Sequence, residues 1–335
     1  MVLLLYTFTF CAFVDSVISK DLRTTTDKFS VFISILGVCI KIANLFLQRE
    51  KIIRVVDILL TENCVPRDED EMMIQRKSDA YARRLTIYCE ILNESAASFA
   101  TVAQFDKLIR TRTLPISDWV PYDLSSRKVH MISLLHQTFG LMICANASVA
   151  NETLIAGLMI QVRAQFEIFC HRARSLPVSL LEVQRNSVSI EDLENKRKKI
   201  LRELVQHHLE IYKFAETVNA IFQYTIFLQF MISSTVLCLS IYTMSTADSF
   251  DVNFVWTFSY LCCMLMQVYL YCWFGNEVTL KSMQVSDAIY EMDWTTLPVN
   301  IMKDLLMIIK RSKRPFRMSS AHIITLSTDS FMAVS

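Results

Sequence analysis

The stretch that decides the fold is residues 218–274, VNAIFQYTIFLQFMISSTVLCLSIYTMSTADSFDVNFVWTFSYLCCMLMQVYLYCWF. No charged side chain occurs in residues 218–246 or in residues 254–274. A helix needs about 20 apolar residues to cross a hydrocarbon core of roughly 30 Å. Only a short polar linker, 249–253, separates the two runs. We therefore predict two membrane-crossing helices that form a hairpin across a bilayer.

Further apolar runs lie on both sides of this hairpin. Residues 2–19 form one run, which Asp15 interrupts, and residues 29–47 form another, which Lys41 interrupts. Residues 85–105 are a weaker candidate because they contain Glu90 and Glu94. The sequence thus predicts an all-α membrane protein of one domain, residues 1–335, with seven transmembrane helices near 2–19, 29–47, 85–105, 129–155 (continuing to 171), 218–245, 254–274 and 297–335.

The run at 129–171 allows two interpretations. It is either one long helix that leaves the membrane, or two crossings joined by a tight turn near residues 146–153. That segment contains neither glycine nor proline, and a tight turn is hard to form without them. We therefore favour one continuous helix.

Composition excludes several classes of protein. Of the 335 residues, 53% are apolar and 20% are charged, and the mean hydropathy is +0.33. There are only four glycines, and they are too scattered for a phosphate-binding loop. The net charge of +1 gives no reason to expect a nucleic-acid partner. No catalytic, metal-binding or cofactor motif occurs, and His207-His208 has no second ligand pair at suitable spacing. We expect no enzyme, no metal and no cofactor.

Lysine and arginine are distributed unevenly between the predicted loops. The loops at 49–84, 172–213 and 277–317 together carry 24 of these residues, whereas those on the other side carry eight. The positive-inside rule places the richer loops in the cytoplasm. The N-terminus is then cytoplasmic and the C-terminus is outside, which is the reverse of a G-protein-coupled receptor.

Two of the predicted cytoplasmic segments resemble helices rather than loops. Residues 190–216 have an amphipathic pattern, and residues 277–311 look similar. Such stripes usually pack on another surface, so we expect a cytoplasmic bundle or a subunit interface. A helix lying on the lipid surface is the alternative, and the many acidic residues make it less favourable.

Three glycosylation sequons occur, at Asn93, Asn146 and Asn151, and all fall within predicted spans. Glycosylation needs an accessible loop, so we interpret them as chance matches. A charge inside a membrane span usually signals function. Glu90 and Arg163 lie toward the cytoplasmic half of their spans, however, where water or a partner can satisfy them.

Several segments together resemble the insect odorant receptors, a family of seven-helix ligand-gated cation channel subunits. The resemblance covers nearly the whole chain and is strongest in the C-terminal half. It is carried by Leu114–Asp123 (LPISDWVPYD), by Ala156–Ile168 (AGLMIQVRAQFEI), by His207–Phe214 (HHLEIYKF), by Ala288-Ile-Tyr290 with Trp294, by Leu305–Pro315, and by Leu326–Phe331 (LSTDSF).

The resemblance implies a tetrameric channel formed with a shared co-receptor subunit in the olfactory neuron membrane. It implies cytoplasmic helix extensions that form the contacts between subunits, and a split seventh helix whose second half lines the pore. A small volatile odorant would bind in the outer half of the bundle. Aromatic, methionine and histidine residues at that depth are the expected ligand contacts: Phe32, Phe99, His136, Phe139, Met142, Tyr260 and Met264. Leu326, Ser327 and Phe331 are the expected pore residues, and Tyr290, Trp294, Leu305, Ser312 and Pro315 the expected subunit contacts.

The sequence departs from the family at both ends. The usual cytoplasmic N-terminal segment does not precede Val2, and the chain stops at Ser335, before the aromatic tail of the pore helix. We therefore expect a pore lining that is only partly present. A G-protein-coupled chemoreceptor is the main alternative, but its Asp/Glu-Arg-Tyr and Asn-Pro-x-x-Tyr motifs are missing. A gustatory receptor shares the topology with a different C-terminal signature. A transporter is disfavoured because the spans lack glycine and proline breaks.

Overall fold

The computed structural model describes residues 2–18, 22–111, 114, 117, 119–123, 126–246, 252–321 and 324–334. Over these residues the protein is almost entirely helical, with one short antiparallel ribbon of two strands. The helices are α1 (Val2–Ile18), α2 (Leu22–Leu47), α3 (Arg49–Leu59), α4 (Glu69–Thr111), α5 (Arg127–Asn186), α6 (Ile190–Ser245), α7 (Val252–Tyr290), α8 (Val299–Ser312) and α9 (Thr328–Val334); the strands are β1 (Ser319–Ser320) and β2 (Ile324–Thr325).

Among the described residues, four helical segments are long and apolar enough to cross a membrane. They are Lys28–Leu47 in α2, Lys128–Asn186 in α5, Ile190–Ser245 in α6 and Phe254–Tyr290 in α7. The apolar part of α1, Leu4–Ile18, is shorter than these. The structure thus has the helical membrane character that the sequence predicts. The count of seven spans and the orientation of the termini stay predictions.

The helix α5 is continuous over 60 residues. At 1.5 Å per residue it extends about 90 Å, roughly three times the thickness of a hydrocarbon core. The one-helix interpretation of 129–171 is therefore confirmed, and the polar segment 146–153 lies inside the helix rather than in a turn. The amphipathic segment 190–216 and the apolar run after it are likewise one helix, α6.

The helix α5 lies at the centre of the bundle, where it contacts α1, α2, α4, α6 and α7. The largest apolar core joins its second half to α6 and α7, with Phe166, Phe214, Phe222 and Phe274 almost fully buried. A smaller core joins α1, α2 and the first half of α5. Gly140 allows the close approach of α1, because an added Cβ would lie 2.9 Å from the ring of Phe8.

A half-buried arginine of α5, Arg172, holds the loop between α3 and α4 against that helix. The guanidinium of Arg172 donates to both carboxylate oxygens of Glu71, each at 2.7 Å, and also to the carbonyl oxygens of Asn63 and Val65. Such a bidentate pair combines charge with a fixed geometry. At the start of α4, the Asp68 carboxylate accepts the backbone N–H of Glu71, and this hydrogen bond lowers the pKa of Asp68.

The C-terminal region, for which a split helix is predicted over 297–335, contains two helices with a short ribbon between them. The helix α8 ends at Ser312, and the chain then forms the β1–β2 ribbon before the seven-residue α9. Ser319 pairs with Thr325, and Ser320 with Ile324. The ribbon is bound to α6, since the Ser319 N–H donates to the Asn219 side chain at 3.0 Å. Side-chain capture by α6 and the Pro315 that follows α8 favour this extended segment over continued helix.

A candidate ligand cavity between five helices

The main candidate site is a cavity lined by α2, α4, α5, α6 and α7. The volume of this cavity is about 130 Å³. A dry apolar cavity of roughly 150 Å³ accepts a benzene-sized molecule. The apolar part of the lining consists of Val31, Ile35, Val38, Ala96, Ala97, Leu141, Cys144, Ala145, Ile232, Trp256, Cys263 and Met264, together with the ring of Tyr260.

One wall carries a tyrosine held by α2. The hydroxyl groups of Tyr260 and Ser34 hydrogen-bond to each other, and the Tyr260 hydroxyl also donates to the carbonyl oxygen of Ser30 at 3.4 Å. The indole of Trp256, one turn earlier on α7, stacks on the Tyr260 ring with centroids 5.8 Å apart. These contacts fix the position of the phenol ring in the wall.

Two glutamines from facing helices form a second polar region. The Gln229 amide donates to the Gln267 carbonyl oxygen at 2.5 Å and to the Ser233 hydroxyl at 2.8 Å. The Gln267 amide in turn lies 3.5 Å from the Ser148 hydroxyl on α5. The three helices α5, α6 and α7 are thereby joined by hydrogen bonds at the edge of the cavity.

A buried ion pair completes this polar region. The Lys41 ammonium lies 2.7 Å from the Glu152 carboxylate, and the two side chains are only 2% and 3% exposed. Ser148 accepts a hydrogen bond from Lys41 at 3.3 Å and donates one to Glu152 at 2.8 Å. A charge in a membrane segment is normally neutralised by a partner. The pair therefore explains how Lys41 is accommodated within an apolar run.

Sequence analysis did not identify this pair as part of a site. Lys41 was visible only as an interruption of the run 29–47, and Glu152 only as one of the few charges in 129–171. Two opposite charges in otherwise apolar spans are a signal that could have suggested the pairing. Arg163 similarly pairs with Glu277 on α7 at 3.3 Å, and Asp15 with Lys28 at 3.0 Å.

The cavity brings together two of the seven predicted ligand contacts, Tyr260 and Met264. The side chain of Phe99 lies outside the described residues. The structure places the other four, Phe32, His136, Phe139 and Met142, away from the cavity. Phe32 packs against Phe13 with ring centroids 5.4 Å apart, His136 hydrogen-bonds to Thr7 at 2.9 Å, Phe139 is 56% exposed, and Met142 is half-buried.

The residues predicted to line the pore lie near α7. Leu326 is buried and packs where α7 has Gly275, and a Cβ on that glycine would lie 3.1 Å from the Leu326 carbonyl oxygen. The Phe331 ring meets the Tyr269 ring at 5.5 Å. Ser327 hydrogen-bonds to Ser330. All three therefore make contacts within this chain.

The predicted subunit contacts divide into buried and accessible residues. Leu305 and Ser312 on α8 are buried inside the chain's own core, whereas Tyr290 is 78% exposed. Trp294 is half-buried and donates from its indole to the Tyr290 carbonyl oxygen at 3.2 Å. Pro315 is half-buried after the end of α8. Tyr290 is thus the member of this group with the largest accessible surface.

The remaining motifs of the sequence give no second site. In the part of the chain that the structure describes, no three histidine, cysteine, aspartate or glutamate side chains are grouped as metal ligands. The sequon asparagines Asn93, Asn146 and Asn151 all lie within helices, and Asn151 is fully buried. Asn93 lines the cavity.

Comparison with known proteins identifies the family. The chain is 25% identical over 216 residues to putative odorant receptor 85d of Drosophila melanogaster, which is 64% of this chain and 50% of that protein. It is 25% identical over 182 residues to odorant receptor Or1 of Anopheles gambiae, which is 50% of this chain and 44% of that protein. The chain spans about half the length of the first curated relatives it matches.

The fold is similar to that of the insect olfactory receptor OR5 from Machilis hrabei, solved in complex with eugenol. The TM-score is 0.83 with 14% sequence identity, and the match covers 99% of this chain and 83% of that one. The family profile described as 7tm Odorant receptor matches residues 21–335. Because this profile covers nearly the whole chain, the protein is a member of the seven-transmembrane odorant receptor family.

Proposed function

We propose that this chain is the odorant-binding subunit of a ligand-gated, non-selective cation channel. In this proposal it acts with a shared co-receptor subunit in the plasma membrane of olfactory neuron dendrites, and it takes a small volatile odorant. The observation that carries the proposal is the apolar cavity enclosed by α2, α4, α5, α6 and α7, within a chain of this family.

The chemistry of the cavity suits a small apolar ligand. Burial of apolar surface contributes about 25 cal/mol per Å² and does not depend on direction. A mostly apolar lining with a few polar groups is the usual form of a small-molecule site. No described charge in the lining is free to attract an ionic ligand, because Lys41 is neutralised by Glu152.

The path from ligand to channel would run along α7. This helix lines the cavity with residues 256–267 and then contacts the C-terminal segment through Gly275 and Tyr269. A ligand shifts an equilibrium between closed and open states by its difference in affinity for them. A ligand that fills the cavity in one state only would therefore move α7 and the segment around Leu326 together.

The test is a current recording from cells that express this chain with an insect odorant co-receptor. Met264→Ala enlarges the cavity by removing a buried side chain, whereas Met231→Ala makes the same change at an exposed site on α6. We expect odorant-evoked cation currents from the wild-type pair. Met264→Ala should shift the half-maximal concentration for small odorants upward by about tenfold or more, since it removes about three buried carbon or sulfur groups.

Met231→Ala should respond like the wild type. Absence of currents from the wild-type pair, with both subunits shown at the cell surface, would contradict the channel proposal. Equal effects of the two methionine variants would show that the response does not depend on this cavity.

A further inference from the structure

The cavity is lined by a carboxamide side chain that makes no hydrogen bond to another described residue. Asn93, on α4, lines the cavity, and its buried Nδ2 atom has no hydrogen-bond partner among the described residues. A buried polar group without a partner costs free energy, so such groups are uncommon unless something else satisfies them. A bound molecule is one way to satisfy an amide that lines a cavity.

The other polar groups in the lining are already engaged with one another. Tyr260 pairs with Ser34, and Gln229 pairs with Gln267. Lys41 and Ser148 both donate hydrogen bonds to the Glu152 carboxylate. Of the hydroxyl, carboxamide and ammonium groups that the structure describes in the cavity lining, that of Asn93 is the one with no hydrogen bond to another described residue.

From this we infer that the cavity selects ligands with an apolar body and one uncharged oxygen function, which pairs with the Asn93 carboxamide. A carboxamide offers N–H donors and a carbonyl acceptor, so it can pair with a ketone oxygen or with a hydroxyl group. A ligand oxygen that leaves water loses hydrogen bonds, and Asn93 returns one of them. A hydrocarbon of the same shape gains nothing from this residue. The inference rests on the proposed function, and it adds a specificity-determining residue to it.

Asn93 is also the first residue of the sequon Asn93-Glu-Ser95. An asparagine that lines a cavity between helices does not present its amide to solvent for glycosylation. Ser95, by contrast, is exposed, and its hydroxyl donates to the carbonyl oxygen of Leu92 at 2.7 Å. The two positions of the sequon can therefore be changed independently.

The experiment measures direct binding, so that it does not depend on channel opening. The purified full-length chain in lipid nanodiscs is titrated with three probes of matched shape: 2-heptanone, 2-heptanol and 2-methyl-1-heptene. Binding is followed by the fluorescence of Trp256, which lines the cavity, with Trp256→Phe as the signal control. The alkene leaves water at a lower desolvation cost, so the quantity compared between the wild type and Asn93→Leu is the affinity of the ketone and of the alcohol relative to that of the alkene. We expect this relative affinity to be about tenfold higher in the wild type, the equivalent of one hydrogen bond.

Asn93→Leu preserves side-chain size and removes the amide, so it should weaken the binding of the ketone and the alcohol about tenfold and leave the affinity for the alkene unchanged. Ser95→Ala removes the sequon and keeps the amide, so it should behave like the wild type. The inference is overturned if Asn93→Leu leaves the affinities for the ketone and the alcohol unchanged, if it weakens the binding of the alkene by the same factor, or if Ser95→Ala lowers the affinities for the ketone and the alcohol as Asn93→Leu does. Binding of no probe would overturn the proposed function as well, whereas binding of all three with equal changes in Asn93→Leu would overturn only the role of Asn93.

Discussion

At the scale of single residues, the ion pair Lys41–Glu152 places two charges inside the helical bundle. Each member is a charge removed from water, and each is tolerated only because the other lies 2.7 Å away with Ser148 between them. Removing one of the two charges leaves the other buried and unpaired. This typically lowers the free energy of unfolding by about 3–5 kcal/mol. Replacing both by apolar residues of similar volume is often neutral.

We therefore expect Lys41→Met to lower the stability of the folded chain by about 3–5 kcal/mol. Lys41→Met combined with Glu152→Met should restore most of that loss, because no unpaired charge remains. The measurement is the thermal unfolding of purified variants in detergent, supported by the amount of each variant at the cell surface. Lys196→Met, which removes an exposed lysine that pairs with Asp192, is the matched control and should change little. A double variant less stable than Lys41→Met alone would contradict this account.

The sequence shows the two charged residues, but it does not show that they form an ion pair. Lys41 and Glu152 stand 111 positions apart, and no periodicity in the chain links them. Tyr260 and Met264 were predicted as ligand contacts from their type and depth, and both line the cavity. Phe139 satisfied the same criteria but faces outward, because depth and residue type do not say which side of a helix meets its neighbours.

At the scale of elements, the close approach of α7 to the C-terminal segment depends on Gly275. A Cβ at this position would overlap the Leu326 side chain and lie 3.1 Å from its carbonyl oxygen, which is backbone and cannot rotate away. Leu326 itself is held from the other side, since its N–H donates to the Met318 carbonyl oxygen at 2.9 Å. The close contact between the ribbon and α7 thus requires a residue without a Cβ at position 275.

Gly275→Ala should destabilise the chain by about 1–3 kcal/mol through this overlap, despite the better helix propensity of alanine. Hydrogen exchange of residues 318–321 and 324–327 should become faster, because the ribbon no longer packs on α7. Gly157→Ala is the control, since an added Cβ there meets nothing within 4 Å. It should be neutral or stabilising by up to about 1 kcal/mol. Equal exchange rates in the two variants would mean that Gly275 is not needed for the contact.

The helices themselves were largely readable from composition, and the ribbon was not. The absence of glycine and proline from 146–153 predicted the continuity of α5, and one helix indeed runs from Arg127 to Asn186. The ribbon contains only two pairs of residues and depends on hydrogen bonds to Asn219 and Gln223 of α6. A sequence pattern cannot show such partners, which lie about 100 positions away.

At the scale of the whole molecule, the distribution of charge and the long helices together predict one orientation of α5 and α6 in the membrane. The helices α5 and α6 are each far longer than a bilayer is thick, and their ends meet at the loop 187–189, where Val188 is 98% exposed. This loop belongs to the arginine- and lysine-rich side, which the positive-inside rule assigns to the cytoplasm. The segment before α5, which contains the exposed Tyr122, is predicted to lie on the opposite side.

An epitope inserted after Val188 should therefore be labelled only in permeabilised cells, and one inserted after Tyr122 should be labelled on intact cells. Both insertions fall in exposed connections between helices, which tolerate additions better than the helices do. Odorant-evoked currents through each tagged chain would show that it retains its fold.

Labelling of the Val188 epitope on intact cells would show that the orientation of α5 and α6 is the reverse of the predicted one. It would also place the buried contacts of Arg172 outside the cell and favour the G-protein-coupled arrangement over the inverted one. The expected pattern would instead place the long ends of α5 and α6 in the cytoplasm, where an exposed Tyr290 at the end of α7 could meet a second subunit.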